Sequence, residues 1–321
     1  MTGPSTRYLV TGGAGFIGSS IVEALLRRGD SVVVLDDFST GRRSNLEGAL
    51  SARAAGAPAP EIIEGDIRDV PTVRRAVRGV THVMHQAALP SVQRSVEDPL
   101  SSHDVNATGT LNLLVAARDA GVRRFVYASS SSVYGDSPEL PKVESMPTAP
   151  LSPYAVSKLA GENYCRIFHG LYGLEAIALR YFNVFGPRQD PTSQYAAVVP
   201  NFLSAVTSGK PPIVFGDGLQ SRDFTFIENV VEANLKACLA SGLASGRAYN
   251  VACGERVTLL QLLQILERLT GSAVRPVHDR PRPGDVRDSL ADIQEARRHL
   301  GFEPHVSLEE GLRRTLAAFR P

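Results

Sequence analysis

A chain of 321 residues that is 43% hydrophobic and 21% charged has the composition of an ordinary globular protein, long enough for one large domain or two fused lobes. Its net charge of +1 argues against a strong overall field that would recruit nucleic acid or an anionic membrane. The cysteines Cys165, Cys238 and Cys253 lie far apart with no CxxC or Cys/His cluster, so free thiols and no metal site are expected. Met1–Arg7 is too short and polar for a signal peptide and no apolar run approaches membrane-spanning length, which gives the expectation of a cytoplasmic protein.

In chain order, short apolar runs rich in β-branched residues alternate with helical patterns. Strands are predicted at Tyr8–Thr11, Ser31–Asp36, Glu61–Asp66, His82–Gln86, Arg124–Ser129 and Glu175–Phe182. Between the first two, Ile17, Ile21 and Leu25 recur every fourth residue with Val22 and Leu26 beside them, the pattern of an amphipathic helix. The stretch from Gly48 to Pro60, rich in Ala, Gly and Pro, reads as a helix end and a surface loop. Longer helices are predicted at Val105–Ala120 and Tyr154–Tyr172. This rhythm implies an α/β fold with a doubly wound, mostly parallel Rossmann sheet covered on both faces. Past Phe182 it gives way to helices, Pro/Gly loops and a few short strands, with capping boxes at Thr258…Gln261 and Ser307…Glu310. Residues 1–182 are therefore expected to form the Rossmann domain and residues 183–321 a smaller C-terminal α/β lobe, with the chain free to weave between them.

The first strand runs into Gly12-Gly13-Ala14-Gly15-Phe16-Ile17-Gly18 and then directly into a helix. Glycine permits the tight turn and lets a pyrophosphate approach the helix N-terminus, whose free N–H groups favour negative charge. Asp36 ends the second strand 18 positions beyond Gly18, where a carboxylate accepts from ribose hydroxyls and repels a 2′-phosphate. NAD is thus favoured over NADP, although Arg42 and Arg43 follow closely and are able to bind a phosphate. Asp66 and Ile67 are placed beside the adenine, and Gln86, Ala87 and Ala88 beside the pyrophosphate and nicotinamide ribose, all at carboxyl ends of strands.

Tyr154 and Lys158 stand four residues apart, one turn along a helix face. A phenol of pKa ~10 must come down by ~3 units, about 4 kcal/mol, to act as a base at neutral pH. One positive charge at ~4 Å in an effective dielectric of ~20 supplies about that much. The helix follows Ser129-Ser130-Ser131-Ser132-Val133-Tyr134-Gly135, hydroxyls at the end of the fifth strand that can bridge to a substrate oxygen.

The glycine motif, the serine-rich run, the Ser152-Pro153-Tyr154 to Ser157-Lys158 run and Arg180-Tyr181-Phe182-Asn183 resemble the extended short-chain dehydrogenase/reductases, the NAD-dependent epimerase/dehydratase family. Within it the chain is most similar to the UDP-hexose 4-epimerases, along essentially its whole length. The resemblance implies a catalytic triad of Ser130, Tyr154 and Lys158, with Asn106, Tyr181 and Asn183 lining the cofactor and substrate. It implies that Arg222 and Arg282 take the substrate pyrophosphate, that Asp285 holds a uridine-side hydroxyl, and that the second lobe binds a UDP-sugar. The family's dehydratases carry Asp-Glu after the triad hydroxyl and its decarboxylases a Glu before the Val-Tyr-Gly; this chain has Ser131 and Ser132 there, leaving oxidation and re-reduction.

By the same resemblance, Ser289 occupies the position that gates sugar size, and a residue this small admits N-acetyl sugars. The run through Val199 also resembles the N-acetyl-accepting branch. UDP-GlcNAc and UDP-GalNAc are therefore the expected substrates, with UDP-glucose alongside. UDP-glucuronate is the alternative, because Arg188 is able to pair with a C6 carboxylate; a non-catalytic NAD-sensing protein of the same fold is a weaker one. The helices at 105–120 and 154–172 resemble those of an intersubunit four-helix bundle, implying a homodimer. His85, His103 and His169 read as packing or surface residues, since nothing nearby supplies a metal set.

Overall fold

The computed structural model describes residues 6–190, 197–280 and 286–319. Six strands follow the predicted order: β1 (Arg7–Thr11), β2 (Ser31–Asp36), β3 (Glu61–Glu64), β4 (His82–His85), β5 (Arg124–Ser130) and β6 (Glu175–Tyr181). A seventh, Arg247–Val251, was not predicted and pairs with β6 at the sheet edge. The sheet order is Arg247–Val251, β6, β5, β4, β1, β2, β3, and every pairing is parallel. The strand order reverses at β1, which lies between β2 and β4, so a crevice opens beyond their carboxyl ends, where open α/β sheets bind ligands.

β3 is two residues shorter than predicted, because the Asp66 carboxylate accepts from Arg68 N at 2.7 Å and turns the chain away. The helix predicted over 105–120 is in fact two segments, a π-turn at Asp104–Gly109 and an α-helix at Thr110–Asp119, preceded by an α-turn at Pro99–His103. One extra residue per turn breaks the 3.6 periodicity, and the interruption swings Asn106 inward.

The Pro153–Tyr172 helix begins where Ser152 Oγ accepts from Ala155 N at 3.2 Å, with Pro153 in the first turn, and ends at left-handed Gly173. It lies flat on β5 because Gly161 has no side chain; a Cβ there would stand 2.3 Å from the Tyr127 ring.

After β6 the chain leaves the sheet, and the Ile227–Leu239 helix then returns to pack on the Phe16–Arg27 helix. On one sheet face Val10, Ile21, Val22 and Val34 share a continuous apolar core with Leu262, Leu266 and Leu312 of the C-terminal helices. The other face buries Leu9, Val33, Leu113, Phe125 and Phe168. Each such side chain contributes roughly 1.5–3 kcal/mol by leaving water. Thr258 and Gln261 form both arms of their capping box. At Ser307 the hydroxyl accepts from Glu310 N at 3.3 Å, and the Glu310 carboxylate takes Arg313 and Arg314.

Candidate active site

One cleft of about 1690 Å³ opens at the crevice between β1 and β4 and extends to Val199, Arg222 and Leu259. At its deep end Gly12 has φ +65°, and a Cβ there would meet Ala87 N at 2.7 Å; at Gly18 a Cβ would lie 2.1 Å from Gly12 O. The turn is thus a backbone cradle closed against the end of β4, with Gly15 as N-cap of the following helix. Phe16, Ile17, Asp66, Ile67 and Ala88 complete the walls at this end. Asp36 is buried and accepts from Ala14 N and Phe38 N, both at 2.8 Å, which leaves lone pairs for a further donor. Burial pushes its pKa up against those two N–H bonds. Arg42 and Arg43 turn away from it to Asp190 and Glu64.

Gln86 and Tyr181 meet on the cleft floor with Asn234. Asn234 Nδ2 donates to Tyr181 Oη at 2.8 Å, Tyr181 donates to Gln86 Oε1 at 3.3 Å, and Gln86 Nε2 donates to Asn234 Oδ1 at 3.1 Å. This closed ring fixes the floor.

Ser130, at the end of β5, lies beside the first turns of the Pro153–Tyr172 helix, so its hydroxyl, the Tyr154 phenol and Lys158 face one cleft. Ser130 Oγ accepts from Ser132 N at 3.2 Å and from Ser132 Oγ at 2.9 Å. Burial pushes the Tyr154 pKa up, and the Ser130 hydrogen bond lowers it. Lys158 Nζ donates to Ala128 O at 2.9 Å and sits 5.8 Å from the Tyr154 ring centroid. Burial lowers its pKa to about 8. Desolvation works against the charged form of both groups and so opposes the lowering of the phenol expected from a nearby positive charge.

Asn183 adopts φ 34°, a conformation uncommon outside glycine, and its Nδ2 donates to Asp223 O at 3.0 Å. Asp223 is fully buried and its carboxylate accepts from Cys253 N, Gly254 N and Ala291 N at 2.9–3.2 Å. Burial raises its pKa to about 7 against those three donors. Arg222 and Val199 line the same end of the cleft, and the Arg222 guanidinium is oriented by the Ser221 and Arg287 carbonyls.

The sequence matches the NAD dependent epimerase/dehydratase family over residues 8–252. The chain belongs to the NAD-dependent epimerase/dehydratase family. It is 41% identical to a UDP-glucose 4-epimerase of Mycolicibacterium smegmatis over 98% of each chain. It is 34% identical to a UDP-glucuronate 4-epimerase of Thermodesulfobacterium geofontis, over 96% of this chain and 94% of that one. It superposes with a TM-score of 0.91 on a UDP-N-acetylglucosamine 4-epimerase of Methanobrevibacter ruminantium in complex with UDP-N-acetylmuramic acid, 38% identical over 98% of each chain.

The family's cofactor is NAD, and the residues present fit it. Only glycine is accommodated at positions 12 and 18, the helix N-terminus behind them is open to a pyrophosphate, and Asp36 disfavours a 2′-phosphate. Two predicted residues lie outside the cleft walls. Asn106 is buried and spends its side chain on Leu89 N, Leu89 O and Ser157 Oγ. Ser289 stands behind Asn183, whose Nδ2 donates to its hydroxyl at 3.4 Å. Arg282 and Asp285 fall outside the described residues. Arg188 lines the cleft but is held by Glu23 and by Ser20 Oγ of the Phe16–Arg27 helix. Among the described residues, no group of three or more His, Cys, Asp and Glu gathers to hold a metal, and no helix is long and apolar enough to cross a membrane.

Asn234 was not singled out from sequence. An asparagine on an otherwise apolar helix face was the available signal for Asn234, but it lies on a helix past the expected domain boundary.

Proposed function

We propose that this chain is an NAD-dependent UDP-sugar 4-epimerase that interconverts UDP-GlcNAc and UDP-GalNAc and also accepts UDP-glucose and UDP-galactose. The observation that carries the reading is the convergence of Ser130, Tyr154 and Lys158 on the cleft that holds the glycine cradle. Tyr154, positioned by Ser130, takes the proton of the sugar's 4-hydroxyl and later returns it to the other face. Lys158, held by the Ala128 carbonyl, keeps positive charge behind the phenol. Arg222 anchors the pyrophosphate while the 4-keto sugar turns about that linkage. NAD⁺ held by the glycine cradle and Asp36 would supply a reversible hydride acceptor and a further positive charge.

Acceptance of N-acetyl sugars rests on the small Ser289 behind the cleft-lining Asn183, where a larger side chain would push Asn183 into the pocket. The uronate alternative relied on Arg188, and the ion pair with Glu23 draws that guanidinium toward the first helix. A panel of the two UDP-hexose pairs and UDP-glucuronate, followed by NMR of the products, tests the reading. Both hexose pairs are expected to interconvert; turnover of UDP-glucuronate alone would overturn it.

The rate should also report Lys158. Below about pH 8 the amine is charged and supports the phenolate; above it the ammonium is lost, so kcat is expected to decline on the alkaline side. The Tyr154–Lys158 pair titrates as a unit, so the limb belongs to both groups. A rate that stays level to about pH 10 would contradict this placement of charge.

A homodimer is part of the same proposal. Val156, Ile167 and Leu171 leave an exposed apolar stripe on the Pro153–Tyr172 helix, with Leu171 71% exposed. Sedimentation at micromolar concentration is expected to give twice the chain mass, and a monomer there would refute it.

A further inference from the structure

We propose that His85 is a positioning residue of this reaction, its neutral imidazole joining the dinucleotide turn to the catalytic helix through one hydrogen-bond chain. The functional part of this inference rests on the epimerase reading; the hydrogen-bond chain itself does not.

His85 ends β4, is 1% exposed and lies between two threonines. Its Nε2 is 2.9 Å from Thr110 Oγ1 and its Nδ1 is 2.7 Å from Thr11 Oγ1. The proton positions follow from the partners. Thr110 Oγ1 lies 2.6 Å from Asn106 O, and a carbonyl only accepts, so the threonine's one proton is spent there. Thr110 must therefore accept from His85, which puts a proton on Nε2. Nδ1 is then bare and accepts the Thr11 hydroxyl proton, while the Thr11 oxygen accepts from Ala87 N at 3.3 Å. The other tautomer would leave a bare Nε2 facing a hydroxyl with no proton to give.

The chain continues at both ends. Ala87 is the residue against which Gly12 closes. Asn106 sits in the π-turn, accepts from Leu89 N at 2.7 Å and donates to Ser157 Oγ at 3.2 Å, and Ser157 Oγ donates to Tyr154 O at 2.7 Å. One line of directed bonds and one π-turn thus run from the cofactor cradle to the backbone of the catalytic tyrosine. The imidazole lies between the Phe125 and Tyr127 rings, and Lys158 is the charged group that acts on it. Burial and that ammonium lower its pKa to about 3, so it stays neutral while Tyr154 and Lys158 titrate. Its role is to fix distance, and no proton is delivered through it.

The test uses the NAD-loaded protein. Imidazole ¹⁵N spectra are expected to show Nε2 protonated and Nδ1 bare, unchanged from about pH 5 to about pH 9. His85→Phe keeps a ring and removes both polar atoms, and is expected to lower kcat about 10- to 100-fold with KM changed less than about 2-fold. His85→Gln, which carries one acceptor and one donor, should recover most of that loss. If His85→Phe does not fold, Thr110→Val cuts the same chain one link further on and should show the same loss. A proton on Nδ1, an ordinary histidine titration, or a kcat within about 2-fold of the wild type in the folded variant would overturn the proposal. Should the wild type turn over no UDP-sugar, the functional reading fails, and the spectra still decide the hydrogen-bond chain.

Discussion

Replacing Tyr154 by phenylalanine is expected to lower kcat by about 10³-fold while leaving NAD bound, the range set by removing a positioned general base. The ring would keep its place in the first turn of the Pro153–Tyr172 helix, and the glycine cradle would be untouched, so cofactor content is a fair control. What the variant loses is the one oxygen that can exchange a proton with the carbinol. The neighbouring hydroxyls of Ser130 and Ser132 are hydrogen-bonded to each other and are far weaker acids than a phenol. Lys158 cannot substitute, because its Nζ is directed at the Ala128 carbonyl. Epimer formation followed by NMR, with NAD released and counted from the same sample, gives both quantities. A rate within about 10-fold of the wild type would remove Tyr154 from the mechanism.

The second large effect is expected at Gly18. An added methyl at this buried position in the first turn would stand 2.1 Å from Gly12 O, a backbone atom of the cradle that cannot rotate aside. The turn must open or the helix must shift, at a cost of about 1–3 kcal/mol of overpacking. Gly18→Ala should therefore weaken NAD binding by about 5- to 140-fold, because every 1.4 kcal/mol is a factor of ten. It should also lower Tm by several degrees, since a chain of this size loses roughly 2–4 °C per kcal/mol. Gly170→Ala is the internal control: it lies on an exposed helix face with nothing within 4 Å of the new atom, so helix propensity favours the change. Equal behaviour of the two variants in a titration with NAD would contradict the cradle.

The parts of the molecule legible in the sequence are those specified locally. β2 runs from Ser31 to Asp36 as predicted, because a β-branched run is bounded by a turn and an acidic residue. The cradle is readable because its glycines, the preceding strand and the following helix are contiguous. Tyr154 and Lys158 are readable because helical spacing alone puts them on one face. Long-range pairing is where the reading ends. Arg247–Val251 is a five-residue strand whose partner β6 lies some seventy positions earlier, and nothing in its own pattern assigns it to this sheet. The π-turn at Asn106 adds a residue that periodicity cannot register, and the Asn106 side chain there bonds Leu89 and Ser157, contacts distant in sequence. The electrostatics of the tyrosine and lysine were misjudged for the same reason. A distance taken from helix geometry omits the burial that raises one pKa and lowers the other. Asn234 and Asp223 hold the cleft floor and the segment around Asn183 through contacts tens of residues apart in sequence.

In the proposed reaction hydrogen leaves C4 of the sugar and comes back to the same carbon within one cleft. Incubating the NAD-loaded protein with a UDP-hexose carrying deuterium at C4, in ordinary water, measures this directly by NMR of both epimers. The prediction is an equilibrium mixture of the two epimers with deuterium still at C4 in each. Epimers that form with hydrogen from solvent at C4, or no second epimer from any UDP-hexose, would contradict it.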